Sequence, residues 1–243
     1  MKSAEAAEIV GDLASQQWGL VSSAQAKAAG VDLPSLRRLT NHGVLVRVRH
    51  GVYATTATAL SAELELKAQW LALQPELMAA DRTSDAKLAA AAVVSHDTAA
   101  DLWGIGDLWP DGAHFTVADR RQSRQPDVHF HRAALGDTDW TVHPDAGLPV
   151  TVVSRTIADL ARAGHEPGHL LDMVADAARK RLVGEDELLE SLDGLEAAFG
   201  VDAGDQDGMA DLLAEYFPGE QPDKRTLSLF SEAFGLSRSR WRF

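Results

Sequence analysis

Apolar and polar residues alternate along the N-terminal part of the chain with a period that changes part-way, and the change locates the elements. From 4 to 17, Ala6, Ile9, Val10 and Leu13 recur at helical spacing until Trp18-Gly19 ends the run. Ser22, with Gln25 three residues on, forms a capping-box pattern. It opens a short helix from Ser23 to Ala29, with Gly30 just past its end. Asp32 and Pro34 start another helix, expected to run to His42 and stop at Gly43. Leu33, Leu36 and Leu39 form its inward stripe, which leaves Ser35, Arg37, Arg38, Asn41 and His42 outside. Past Gly43 the period falls to two. Val44, Val46 and Val48 point one way, Leu45, Arg47 and Arg49 the other. His50-Gly51 turns the chain and Val52-Tyr53-Ala54 returns as a second strand. Helix, short helix, short helix and basic hairpin spell a winged helix-turn-helix over residues 1–57.

Beyond it, residues 58–80 carry Leu60, Leu64, Trp70, Leu71 and Leu77 in the pattern of one long amphipathic helix, a connector over 58–82. Residues 81–87 are polar and read as a loop. Ser95 caps a helix that carries Asp97 in its first turn and ends near Trp103-Gly104. Strand-like runs follow at 113–118, 127–131, 138–143 and 149–153, and Ser154 caps a helix through Ala163. These elements predict a small mixed α/β middle domain over 83–165. Helical patterns at 167–181, 185–198, 208–217 and 224–234 predict a helical C-terminal region over 166–243, interrupted by an acidic, glycine-bearing linker near 200–208. The expected fold class is α+β.

Composition narrows the function only when it is divided. The 243 residues are 45% apolar and 24% charged, which suits a buried core. The absence of cysteine excludes a disulfide framework, thiolate metal sites and a thiol nucleophile. No apolar signal segment follows Met1, and the longest apolar run, Leu88 to Val94, is far too short to span a membrane. A soluble cytoplasmic protein is expected. Its net charge of −13, taken whole, speaks against nucleic acid. Taken by segment it does not. Residues 1–57 hold Lys2, Lys27, Arg37, Arg38, Arg47 and Arg49 against Glu5, Glu8, Asp12 and Asp32, a net +2, so the remainder carries −15. Leu33 to Ala54 has four arginines, two histidines and no acid. Phosphate binding needs a basic face rather than a basic protein.

Arginine reads guanine and asparagine reads adenine through paired hydrogen bonds in the major groove. Arg37, Arg38 and Asn41, helped by Ser35 and His42, are therefore the candidate base readers, and Arg47, Arg49 and His50 the candidate backbone grips. A protein-contact role with solvated arginines is the plainer alternative. His129-Phe130-His131 lies on an expected strand, so both imidazoles share a face. That geometry takes zinc with a third ligand, such as Asp127 or His114. With no cysteine and no helical histidine pair, no metal is expected. Arg120, Arg121, Arg124 and Arg132 instead suggest, with the two histidines, an anion or acidic-partner patch, although solvated loop arginines account for them most simply.

Of two acid-x-lysine triplets, Glu65-Leu66-Lys67 and Asp85-Ala86-Lys87, the first falls on an expected helix, where i and i+2 diverge and only a strand would set them on one face. Ser95-His96-Asp97 is no triad, since consecutive residues do not point at each other, and no phosphate-binding glycine motif is present. No enzyme and no cofactor are expected. Arg238, Arg240, Trp241, Arg242 and Phe243 suit either base stacking or a frayed terminus.

Gly19-Leu20-Val21-Ser22 through Ala29-Gly30-Val31, then Leu36-Arg37-Arg38-Leu39 and Gly43 through Ala54, resemble the N-terminal domain of AbiEi-family antitoxins of type IV toxin–antitoxin systems. Val94 through Gly104, the stretch ending His129-Phe130-His131-Arg132, and Leu148 through Leu160 resemble the family's middle region, so the likeness spans about residues 5–165. It implies a winged helix that represses its own operon at promoter repeats in double-stranded DNA. It also implies a domain that counteracts a nucleotidyltransferase-type toxin, with or without touching it. Two alternatives share this architecture: an interaction module that binds the toxin directly, and a stand-alone regulator without a toxin. Residues after 165 lack the acidic strand motif of the nuclease-like domain fused to some relatives.

Overall fold

The computed structural model describes residues 2–123 and 125–217. The expected helix at 224–234, the arginine- and aromatic-rich end and Arg124 lie outside the described residues. In chain order the elements are α1 (Ser3–Ser15), β1 (Leu20–Ser22), α2 (Ser23–Ala28), α3 (Leu33–Asn41), β2 (Leu45–Arg49), β3 (Val52–Thr55), α4 (Ala62–Leu73), α5 (Ala79–Ser84), α6 (Ala86–Ala89), β4 (Val93–Val94) and α7 (His96–Trp103). They continue with β5 (Ala113–Val117), β6 (Val128–Arg132), β7 (Trp140–Val142), β8 (Pro149–Thr151), α8 (Val153–Arg162), α9 (Pro167–Lys180), α10 (Glu185–Ser191), a 3-10 turn at Glu196–Phe199 and α11 (Gln206–Ala214). The fold is α+β, with a winged helix at the N-terminus and helices at the C-terminal side.

The head follows local chemistry. Ser22 Oγ accepts from Gln25 N at 2.9 Å and Gln25 Oε1 accepts from Ser22 N at 2.8 Å, so the capping box closes in both directions. The Asp32 carboxylate accepts from Ser35 N at 2.8 Å. Hydrogen bonding to Ser35, through its side chain and then its backbone N–H, holds the Asp32 carboxyl below the usual carboxylate range. Ala6, Val10, Val21, Ala26, Leu36, Leu39 and Leu45 close a core of their own under a three-stranded antiparallel sheet in the order β1-β3-β2. The strand β1 was unexpected; too short to show a period, it pairs Leu20 to Ser22 with Val52 to Ala54.

Two expectations for the head need correction, the faces of α3 and the shared face of Arg47 and Arg49. Leu33 is 53% exposed and Ser35 is 2% exposed, the reverse of the expected faces. Around the start of β2 the expected alternation holds: Leu45 is buried and covers the helical core while Val44 and Val46 are exposed. The ladder then slips between Arg47 and Arg49, so these two arginines do not share a face as strict alternation requires.

The second body is built around α4, which is no exposed connector. Leu64, Leu66, Ala68, Trp70 and Leu71 are all buried, between the head's sheet (Leu20, Val52, Ala54) and the second sheet (Val94, Phe115, Val150). The helix stops at Leu73 rather than near 80 because Pro75 excludes Gln74 from helical geometry. The expected polar loop at 81–87 is instead α5 and the start of α6, and Arg82 is fully buried with its guanidinium 3.4 Å above the Trp70 ring. The second sheet is mixed, in the order β6-β5-β4-β8-β7, with β6 at one edge.

Beyond it, α8 to α11 pack a separate apolar layer through Ile157, Leu160, Met173, Leu188 and Leu213. Ser154 does not cap α8: it lies inside the helix and its hydroxyl donates to Glu187 at 2.8 Å. The expected helix 185–198 breaks after Ser191 and resumes as the 3-10 turn. The linker near 200–208 shrinks to a turn. Glu196 accepts from Gly204 N at 3.2 Å, and Asp205 caps α11 through Gly208 N at 2.9 Å.

Candidate nucleic-acid interface

On the head, α3 and the wing converge. A shallow groove of about 390 Å³ is lined by Arg37, Thr40 and Asn41 from α3, by Arg47, His50 and Tyr53 from the hairpin, and by the exposed Leu33. Arg37 and Asn41 are one helical turn apart, so both point into it. Arg47 Nη2 lies 2.8 Å from His50 Nδ1, and its Nε donates to the Arg49 carbonyl at 3.3 Å, which props the guanidinium along the wing. Arg38 is exposed but held back against its own helix, donating to Ser35 Oγ at 2.8 Å. Ser35 thus orients Arg38 from inside the fold and is too buried to meet a base. His42, at the C-terminal end of α3, is exposed.

Arg49 requires a correction. Its side chain is 11% exposed and turned inward, where its guanidinium is paired with the Asp127 carboxylate. It also reaches Glu65 Oε1 at 3.3 Å and Gln125 Oε1 at 2.7 Å. That pairing holds the Asp127 carboxyl below its ordinary range. The bulge between Arg47 and Arg49 is what turns one arginine to the groove and the next to the second sheet. Arg49 clamps the wing to α4 and to the segment that leads into β6, and its charge is engaged there rather than offered to a phosphate. The head is further fixed by buried polar side chains. Gln25 Nε2 donates to the Leu77 carbonyl at 2.7 Å, and Gln17 Oε1 accepts from Ala79 N at 3.1 Å.

The second basic patch does not assemble as drawn. Arg121 donates to the Leu73 carbonyl and lies with Val128 and Phe130 on one face of β6. His129 and His131 turn to the other face, towards His114. Arg120 and Arg132 are exposed. Asp127, one of the two imagined third ligands, belongs to Arg49. Ser95 occupies the N-cap position of α7, but its hydroxyl makes no cap; it lies 3.0 Å from His96 Nδ1.

Residues 8–56 match the family model described as transcriptional regulator, AbiEi antitoxin. The matched span runs from within α1 to the end of the wing. The head is similar to the N-terminal domain of that family. The resemblance read in the sequence is borne out over residues 8–56, and the middle segment lies outside the matched span. The crystal structure of RV2827C protein from Mycobacterium tuberculosis is similar at a TM-score of 0.52 and 18% identity, covering 88% of this chain and 81% of that one. At that identity the likeness speaks for the fold alone, including the bodies behind the head. No curated protein matches the chain. Among the described residues no helix is long and apolar enough to cross a membrane.

Proposed function

We propose that the chain is a non-catalytic, DNA-binding autorepressor and antitoxin, acting at repeats in its own promoter and counteracting a nucleotidyltransferase-type toxin in the cytoplasm. The observation that carries this reading is the groove in which Arg37, Asn41, Arg47 and His50 converge on a surface with no acidic residue from Leu33 to Ala54. Arg37 and Asn41 supply the two side chains best suited to paired hydrogen bonds with guanine and adenine, and Leu33 offers an apolar contact for a thymine methyl. Arg47 meets the phosphates, and Arg38 lies beside the reading face. The acidic body repels DNA elsewhere and orients the head.

The test uses the full chain and its own upstream DNA over a range of salt. Binding that weakens with salt and is lost in an Arg37→Ala/Asn41→Ala double variant supports the reading. Equal affinity of wild type and variant, or no binding at low salt, refutes it. Inverted half-sites one or more helical turns apart would indicate paired binding. Rescue of growth from a co-expressed neighbouring nucleotidyltransferase tests the antitoxin half. Co-purification of the two proteins would place the rescue in direct contact.

A further inference from the structure

Five of the nine histidines, His96, His114, His129, His131 and His165, gather on one face of the second sheet with Asp97, Asp111 and Asp159. The pairing of β5 with β6 sets His114 opposite His129 on the same face. The loop before β5 adds Asp111. Gly112 allows this approach, because a Cβ there would stand 2.5 Å from the Asp127 carbonyl oxygen.

We propose that Asp111, His114 and His129 bind a zinc ion. Asp111 Oδ1 lies 2.8 Å from His114 Nε2 and 3.4 Å from His129 Nε2, and all three ligand atoms fall within 4.8 Å of one another. Tetrahedral zinc with bonds of 2.0–2.1 Å spaces its ligand atoms about 3.3 Å apart, so the set closes on an ion with small side-chain shifts. His129 Nε2 is shielded from solvent and has no hydrogen-bond partner, a buried polar atom whose want a metal satisfies.

The surroundings are those of a metal ligand set. His114 Nε2 donates to the Asp111 carboxylate; an ion would take the place of that proton, and His131 Nε2, 3.1 Å from His114 Nδ1, stands ready to accept the proton from Nδ1 in the metal-bound tautomer. His131 is itself stacked on His96 with ring centroids 3.5 Å apart. Asp97 Oδ2 stands 3.9 Å from His114 Nε2, within reach of a fourth position or of a water held there. Two imidazoles and one carboxylate suit zinc and disfavour magnesium and calcium, which take oxygen shells. The ion ties the loop carrying Asp111 to the edge strand β6, beside a cleft of about 640 Å³ that Trp109, Asp111 and Arg49 help to line.

The test is made on the tag-free full chain, stripped with chelator and titrated with zinc chloride by calorimetry. One ion per chain is expected, with a melting temperature that rises with zinc and not with magnesium. Asp111→Asn, at an exposed position that leaves the fold intact by circular dichroism, and His129→Asn should each weaken binding about tenfold or more. His169→Gln, at an exposed histidine remote in sequence from the set, should bind as wild type does. Cobalt in place of zinc should give the absorption of a low-symmetry site in wild type and lose it in Asp111→Asn. Failure to take up one ion per chain, or equal affinity in Asp111→Asn, His129→Asn and wild type, overturns the proposal.

Discussion

Arg47 and Arg49 stand two residues apart on one strand and have opposite fates. Arg47 lies along the wing at the edge of the groove, whereas Arg49 is sunk into ion pairs with Asp127 and Glu65. The first belongs to a surface made by neighbours in sequence. The second belongs to a junction between residues 76 and 78 positions apart. A charge in an acid-free stretch is thus free for DNA only if no distant carboxylate claims it. Counting arginines along a segment overstates the charge it can present.

The comparison can be broken most forcefully at the junction. Arg49→Ala should cost about 1–3 kcal/mol of stability in urea denaturation, because it removes a buried side chain packed between wing and sheet; its two carboxylate partners are half-exposed and stay solvated. Its salt slope for DNA binding should stay near that of wild type. A slope lower by about one with unchanged stability would return Arg49 to the DNA face.

The converse variant, Arg37→Ala, should cost about 1–3 kcal/mol in operator affinity and relax the sequence preference, with little change in melting temperature. Arg47→Ala should weaken specific and random DNA alike and lower the salt slope by about one. If Arg47→Ala lost discrimination between sequences, the wing would be reading bases.

The smallest effect concerns acid. Burial pushes the His96 imidazole down to about 3, with His131 and His114 as lesser causes. The folded protein therefore refuses a proton that the unfolded chain accepts from about pH 6.5 downward. Stability is full above pH 6.5 and declines as the pH falls towards 3. In chelator, the urea midpoint of wild type should drop between pH 6.5 and 5.5 more steeply than that of His96→Asn, a substitution suited to the positive φ of 52° at this position. Parallel curves would mean that His96 is not held neutral.

Most of the head was legible because its determinants are local. The capping box at Ser22 and Gln25, the Asp32 cap, the helical stripe and the basic hairpin each act over a few residues. The same period-based reading misplaced Leu33 and Ser35, since which of positions 33 and 35 faces inward depends on α1 and not on α3 alone. In the second body the reading weakened. Trp70 looked like one more residue of an amphipathic connector, yet its ring is enclosed from both sheets and its indole donates to the Ala92 carbonyl at 3.0 Å. The gathering of histidines left little trace in the chain beyond the alternation of His129 and His131, with His114 one of two candidate third ligands. Asp111 carried no signal at all.

The residues alone determined where the helices of the head begin and end, that a hairpin follows them, and that a basic face exists in an acidic protein. Hydrogen bonds within a turn, backbone restrictions and side-chain period act through the nearest neighbours, so they can be read in order. Which arginines remain free, what α4 is buried between, and that Asp111 meets His114 and His129 were decided by the tertiary structure. Each of those outcomes is a contact across the fold. Its energy depends on distance in space, and in a mixed sheet whose neighbours are not consecutive, distance along the chain does not supply it.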